Sequence, residues 1–409
     1  MCSHMVVCIF LPRFELTVAA GGREALAAGP LALAPEVGRE TLIGEVSAAA
    51  EGYDVHAGLR LGEALARCPT LRLVTPDPAG VADAWERVIA TLESVGAMVE
   101  ADRPGTAWFE ERGLRRLHGG SAESVIAVVR RALVDPRGAG SSPPGGRIGA
   151  APSRFAALAA AHRARPRRPE LAPETPARLA AYLAPLPVSL LRFRPEVAVL
   201  PDVLERFGLA TLGDLAKLSR AHLADRFGPA GPFARDLARG KDTPLRPRAP
   251  TERLEEVLEL PESASGPQLE RVLGLLIDRV LARPERRGRT VRVVVLSARL
   301  VGEGTWRSRM TFREPLVDPR RMRLAISGRL TELPAPADAL RLRVETFGPP
   351  CGDQRSLLSE PASVRRARLR EAVRQTRAAA GPDAALRILT VDPDSRVPER
   401  RLALTPWEP

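Results

Sequence analysis

Between Met1 and Phe14 the chain has no aspartate or glutamate, so its first apolar strand, Val6-Val7-Cys8-Ile9-Phe10-Leu11, carries no carboxylate. A nucleotidyl-transfer centre built on paired divalent cations needs acidic oxygens at the end of such a strand, and none is offered here. Cysteine is scarce: Cys2, Cys8, Cys68 and Cys351 form no CxxC pair, and His4, His56, His118, His162 and His222 lack helical ligand spacing. That pattern excludes structural zinc and a disulfide framework, and it predicts isolated reduced thiols, no metal and no cofactor. No apolar run approaches the roughly 18 residues of a membrane-spanning helix, and Val6 to Leu11 is too short for a secretion signal. The expectation is a cytoplasmic, nucleoid-associated protein with no membrane partner. The Gly/Ser/Pro stretch from Pro136 to Gly146 lacks the Gly-Lys-Ser/Thr ending of a phosphate-cradling loop.

What is present is arginine. Lys217 and Lys241 are the only lysines in a chain of 409 residues with a formal charge of +12. Residues 1–120 hold 11 Arg against 16 acidic residues, a net of −5, which leaves +17 for residues 121–409. A basic later half favours a polyanionic partner, because each phosphate contact releases counterions. The length predicts roughly two to four domains.

The pattern opens with a strand, a short helix at Arg23 to Leu26 and a strand at Pro30 to Ala34 that pairs with a second strand, Thr41 to Val46. A helix follows Gly58 and ends before Pro69. Val81 to Gly96 is amphipathic, with Trp85, Val88, Ile89 and Leu92 on one face, and a strand pair follows around Met98 and Trp108-Phe109. Leu204 to Leu215 reads as helix, Gly-bearing turn at Gly208, and Thr-started helix, with a second turn at Arg226, Gly228 and Gly231. Such hairpins point amides outward and can take a DNA phosphate without reading sequence. From Arg253 to Phe347 the order is strand, helix, strand, strand, helix, strand. Trp306, Met310 and Phe312 alternate with Arg307, Arg309 and Arg313, and Leu340, Leu342 and Val344 with Arg341 and Arg343. A period of two sends these arginines to one face, so that the two strands, read as neighbours, display one basic sheet surface predicted to meet DNA backbone.

This order of parts resembles the Y-family of translesion DNA polymerases, and within it the divergent ImuB-like branch. Three segments carry the resemblance: Gly58 to Ala64 with Arg67-Cys68-Pro69, the stretch Gly149 to Ala156, and the hairpin unit followed by the basic βαββαβ unit. The resemblance implies an α+β multi-domain fold: palm at 1–22 and 76–185, fingers at 23–75, helical thumb at 186–245, little finger at 250–348, and a clamp- and partner-binding tail at 349–409. The family's metal ligands fall on Phe10, Pro12, Pro104 and Gly105, and its triphosphate-holding Tyr and Arg fall on Ala48 and Glu51. A shifted alignment brings Glu100 or Asp102 toward the second carboxylate position. Gln354, Leu357 and Leu358 are similar to a peptide that inserts into the bacterial sliding clamp.

The function expected from these residues is a polymerase-like adaptor without enzymatic activity. Its expected partners are primer–template DNA, the sliding clamp, an error-prone replicative-type polymerase and an ImuA/RecA-like accessory protein. An active translesion polymerase with an unusual metal site, or a basic DNA-binding protein with no replication role, are the alternatives.

Overall fold

The computed structural model describes residues 5–35, 41–134, 146–249, 254–302, 304–350, 366, 369–370, 372–373, 376–377 and 381–407. The chain begins with β1 (Val6–Phe10), every residue of which is buried. That burial follows from its place in a sheet covered on both faces, where a continuous apolar run replaces alternation. β2 (Leu31–Leu33) and β3 (Arg72–Val74) pair in parallel as a small separate sheet. The expected strand at Thr41 to Val46 is a correction: only isolated bridges form there, Ala32 with Val46 and Leu42 with Arg60. Backbone bonds such as Leu33 N–H to Glu45 O (2.9 Å) hold it beside β2, which takes its regular partner from β3 instead.

β4 (Glu100–Arg103), β5 (Thr106–Glu110), β6 (Arg147–Ala151) and β7 (Glu170–Leu171) complete the first sheet in the order β4-β5-β1-β6-β7. Val7 and Ile9 pack with Trp85, Val88, Ile89 and Leu92 of the helix Pro78–Ser94. Cys8 and Phe10 turn to the opposite core, formed with the Ala-rich helix Arg154–Arg163. Alanine lets that helix lie close to β6, and Gly149 lets it lie closer still. A Cβ at Gly149 would stand 2.1 Å from Ala161 N and 2.4 Å from Ala157 O.

The same core continues into a helical unit whose helices are Pro176–Leu183, Leu200–Arg206, Leu212–Lys217, Arg220–Phe227 and Ala230–Ala238. Thr211 starts Leu212–Lys217 with a full capping box against Asp214, as its position before the apolar residues predicts. The strand–helix–strand–strand–helix–strand pattern is also observed. β8 (Leu254–Ala264), β9 (Arg289–Leu300), β10 (Gly304–Leu316) and β11 (Ala337–Pro350) form a sheet in the order β10-β9-β11-β8. The helices Pro267–Ala282 and Pro319–Ser327 share the apolar core of this sheet. A second compact unit, Arg287–Thr290 with Pro349–Pro409, contains the hairpin β12 (Leu386–Thr390) and β13 (Leu402–Pro406). Among the described residues no helix is long and apolar enough to cross a membrane.

Gly149→Ala should cost about 3 kcal/mol or more of stability, because its neighbours Ala161 N and Ala157 O are backbone atoms that cannot give way without moving the helix. Thermal unfolding of the purified variant measures it, and an unchanged midpoint would show that strand and helix are not held this close.

Candidate nucleic-acid interface

The corner formed by β1 and the β4–β5 turn is built by backbone. Leu11 N–H donates to Gly105 O at 2.7 Å, and Phe10 pairs with Thr106. Gly105 has φ +85°, and a Cβ there would stand 2.9 Å from Leu11 O, so this turn needs glycine for both conformation and space. The backbone thus sets Phe10 and Leu11 beside Gly105 and Thr106. Their side chains do something other than ligate. Phe10 stacks on His162 (centroids 4.3 Å apart) and meets Phe193 edge-on at 5.6 Å, while Arg103 covers the Phe193 ring at 4.0 Å.

The two acids nearest in sequence, Glu100 and Asp102, are held by Arg154. Its guanidinium lies 2.5 Å from Glu100 and is also paired with Asp102, and its cationic centre lies over the Trp108 ring at 4.3 Å. Glu100 further accepts the backbone N–H of Arg246. Burial, then the charge of Arg194, lowers the Arg154 pKa from its ordinary value. Among the described residues no group of three or more His, Cys, Asp or Glu side chains is placed to hold a metal ion. A divalent cation of the kind the family uses does not fit the apolar and arginine-held donors of this corner.

At the far end of the helical unit the two predicted turns lie together. Gly208 (φ +74°) and Gly228 (φ +56°) are exposed with open space at the Cβ position. Arg226 bridges them by lying over the exposed Phe207 ring at 3.8 Å. The helix Ala230–Ala238 starts at the second turn with no side-chain cap, and backbone takes up its first amides: Gly231 N–H donates to Gly228 O and Phe233 N–H to Pro229 O. Gly231 is a correction. It is buried, and a Cβ would meet Leu223 O at 2.3 Å, so its glycine serves helix packing rather than a ligand.

The arginine rows alternate as predicted, with Trp306, Met310, Phe312, Leu340, Leu342 and Val344 on the core side. Two corrections follow for their surroundings. β10 and β11 are not neighbours, because β9 lies between them. Nor is the row open to solvent throughout: Arg307, Arg341 and Arg343 point at Asp83 of the helix Pro78–Ser94, at 3.8, 3.7 and 3.9 Å. Arg341 also lies 3.1 Å from Glu255, and Arg309 pairs with Glu345 at 2.5 Å. Arg313 is exposed and has no ion pair among the described residues. The clamp-like residues Gln354, Leu357 and Leu358 lie outside the described residues.

Sequence reasoning missed Asp83, which is only 5% exposed. The available signal was the acidic side of its helix, where Asp83, Glu86 and Glu93 stand away from the Trp85 face. Arg248 confirms the use of that side, reaching Glu86 at 2.5 Å and Glu93 at 2.7 Å, while its N–H donates to Val99 O.

Residues 9–162 match the impB/mucB/samB family. DNA polymerase IV of Dehalococcoides mccartyi strain CBDB1 is 26% identical over 377 residues, covering 89% of this chain and 92% of the relative. The DNA polymerase IV of Alkalilimnicola ehrlichii is 24% identical over 302 residues, 73% of this chain and 82% of the relative. The chain is thus similar to that family over residues 9–162, and to proteins named DNA polymerase IV along most of its length. Among solved structures, DinB from Sulfolobus solfataricus aligns over 84% of this chain and 99% of its own, with 14% identity and a TM-score of 0.48. The expectation that this chain is not an enzyme is overturned, since relatives matched along most of their length are named DNA polymerases. That expectation rested on the missing carboxylates at Phe10, Pro12, Pro104 and Gly105 and on Ala48 and Glu51 at the triphosphate-holding positions.

His162 generates a pH prediction. Its pKa is lowered from 6.5 to about 4, first by burial and then by Arg147 and Arg103. As pH falls from about 6.5 toward 4 the unfolded chain takes up this proton and the folded chain does not, so stability is lost by roughly 2–3 kcal/mol. His162→Gln should remove that part of the acid limb. Urea midpoints at pH 7 and pH 4.5 measure it, and an equal acid loss in both proteins would place the proton elsewhere.

Proposed function

We propose that this chain holds primer–template DNA during translesion synthesis, tethered to the sliding clamp and working beside an error-prone polymerase. The observation that carries the DNA-holding part is the pairing of two exposed left-handed turns, Gly208 and Gly228, by Arg226 on Phe207. Open glycines admit a phosphate close to the backbone, and the guanidinium supplies charge without base readout. The excess positive charge of residues 121–409 supports the same reading by favouring approach to a polyanion. Within this reading the regions 1–22 with 76–185, 23–75, 186–245 and 250–348 are the palm, fingers, thumb and little finger.

The clamp and polymerase parts rest on the tail. A Gln at position 354 with Leu357 and Leu358 suits a pocket that buries two adjacent apolar side chains while the amide bonds its rim. The ImuB-like order of the tail supports a role in bringing a second polymerase and a RecA-like accessory protein to the same DNA.

Arg226→Ala should weaken binding to a labelled primer–template similarly across sequences and reduce the slope of log affinity against log salt by about 1. Fluorescence anisotropy over a salt series reads both quantities, and no change in either would reject the turns as a DNA contact. Replacing Gln354, Leu357 and Leu358 together by alanine should abolish capture of the full chain by immobilised sliding clamp while leaving DNA binding intact. Undiminished capture would remove the clamp from the reading.

A further inference from the structure

The arginine face suited to DNA already has an occupant, and the occupant is acidic. Asp83 stands one turn inside the helix Pro78–Ser94 and is nearly fully buried, yet its Oδ2 accepts no hydrogen bond. Three guanidiniums, those of Arg307, Arg341 and Arg343, surround it at 3.7–3.9 Å, outside hydrogen-bond range. A well-matched buried pair would be bidentate and near 2.8 Å, so one carboxylate shared among three cations is a loose contact with surplus positive charge. Glu255 takes part of that surplus from Arg341. Arg87, one helical turn beyond Asp83, adds to it, and its pKa falls to about 10 through burial and then repulsion from Arg341.

Around this centre the contact is extended but thin. Thr305 donates its hydroxyl to Asp77 Oδ2 at 2.9 Å, and Arg299 is held by Asp338 at 2.6 Å within the sheet itself. A cleft of about 840 Å³, lined by Asp83, Arg87, Arg299 and Arg341 among others, borders the contact. Two of the three guanidiniums that hold the helix, Arg307 and Arg341, belong to different strands, so breaking the contact frees a cationic face rather than a single side chain.

We propose that Asp83 and DNA phosphate compete for Arg307, Arg341 and Arg343, so that the acidic side of the helix Pro78–Ser94 latches the arginine face shut until nucleic acid displaces it. This rests on the reading of the chain as a DNA-holding protein. The carboxylate acts as a stand-in for a phosphate: it presents one negative charge to the groups that a DNA strand would engage with several. Displacement exchanges a shared, imperfectly bonded anion for successive phosphates and releases counterions from the DNA, which drives the opening. The latched fraction lowers apparent affinity in proportion to its population.

Asp83→Asn keeps the shape and removes the charge. It should tighten binding of the full chain to a labelled primer–template by about tenfold, a coupling of ordinary size for two competing states. Asp54→Asn, which makes the same change of net charge on an exposed residue remote from the sheet, should not do so. Hydrogen–deuterium exchange on the unaltered protein supplies the second readout: adding primer–template should increase exchange in residues 78–94 while protecting residues 304–313 and 340–344. Equal affinity of Asp83→Asn and the parent, or unchanged exchange in residues 78–94 when DNA binds, would overturn the latch. If the parent binds DNA through the Arg226 turns under those conditions, the DNA-holding reading survives that loss. Absence of DNA binding by parent and variant alike would overturn both.

Discussion

One buried carboxylate organises the relation between the two largest sheets of this protein. Asp83 lies on the side of the helix Pro78–Ser94 that faces away from the first core, where Trp85, Val88 and Ile89 pack against β1. Its charge would be costly to bury unpartnered, and the arginines of β10 and β11 are what offset that cost. The partners are equally constrained, because three like charges on one face repel unless an anion lies among them. Neither surface is a comfortable end state alone, and the arrangement of the later sheet follows from that mutual need.

The elements were legible where local chemistry decided them. The alternation of Trp306, Arg307, Met310 and Phe312 gave the correct inward and outward faces of β10, and the Thr211 capping box marked a helix start. The six-element order of the later sheet could be read because its helices are amphipathic and its strands are separated by turns. Thr41 to Val46 was harder, since its apolar residues suit a strand but the regular partner of β2 comes from Arg72 to Val74, far along the chain. Periodicity describes a face, not the neighbour that face will meet.

The same limit explains the site. The likeness of motifs singled out the segments at Phe10 and Gly105, and a Leu11–Gly105 backbone bond joins them. What could not be read was the closing of Glu100 and Asp102 by Arg154, or of the arginine row by Asp83, because both join residues distant in sequence. Gly231 shows the converse: a turn glycine in sequence terms is a packing glycine once Leu223 is beside it. The Phe10 corner also shows why donor inventory is weak ground for judging activity, given relatives named as polymerases along nearly the whole alignment.

Arg248 gives the later sheet a mechanical character. By gripping Glu86 and Glu93 of the same helix that carries Asp83, it anchors the connecting segment only a few residues before β8 begins. Any swing of the sheet therefore has a short leash and a fixed pivot. A short tether keeps the groups it joins at high effective concentration, so reclosure is a local event that dilution cannot slow.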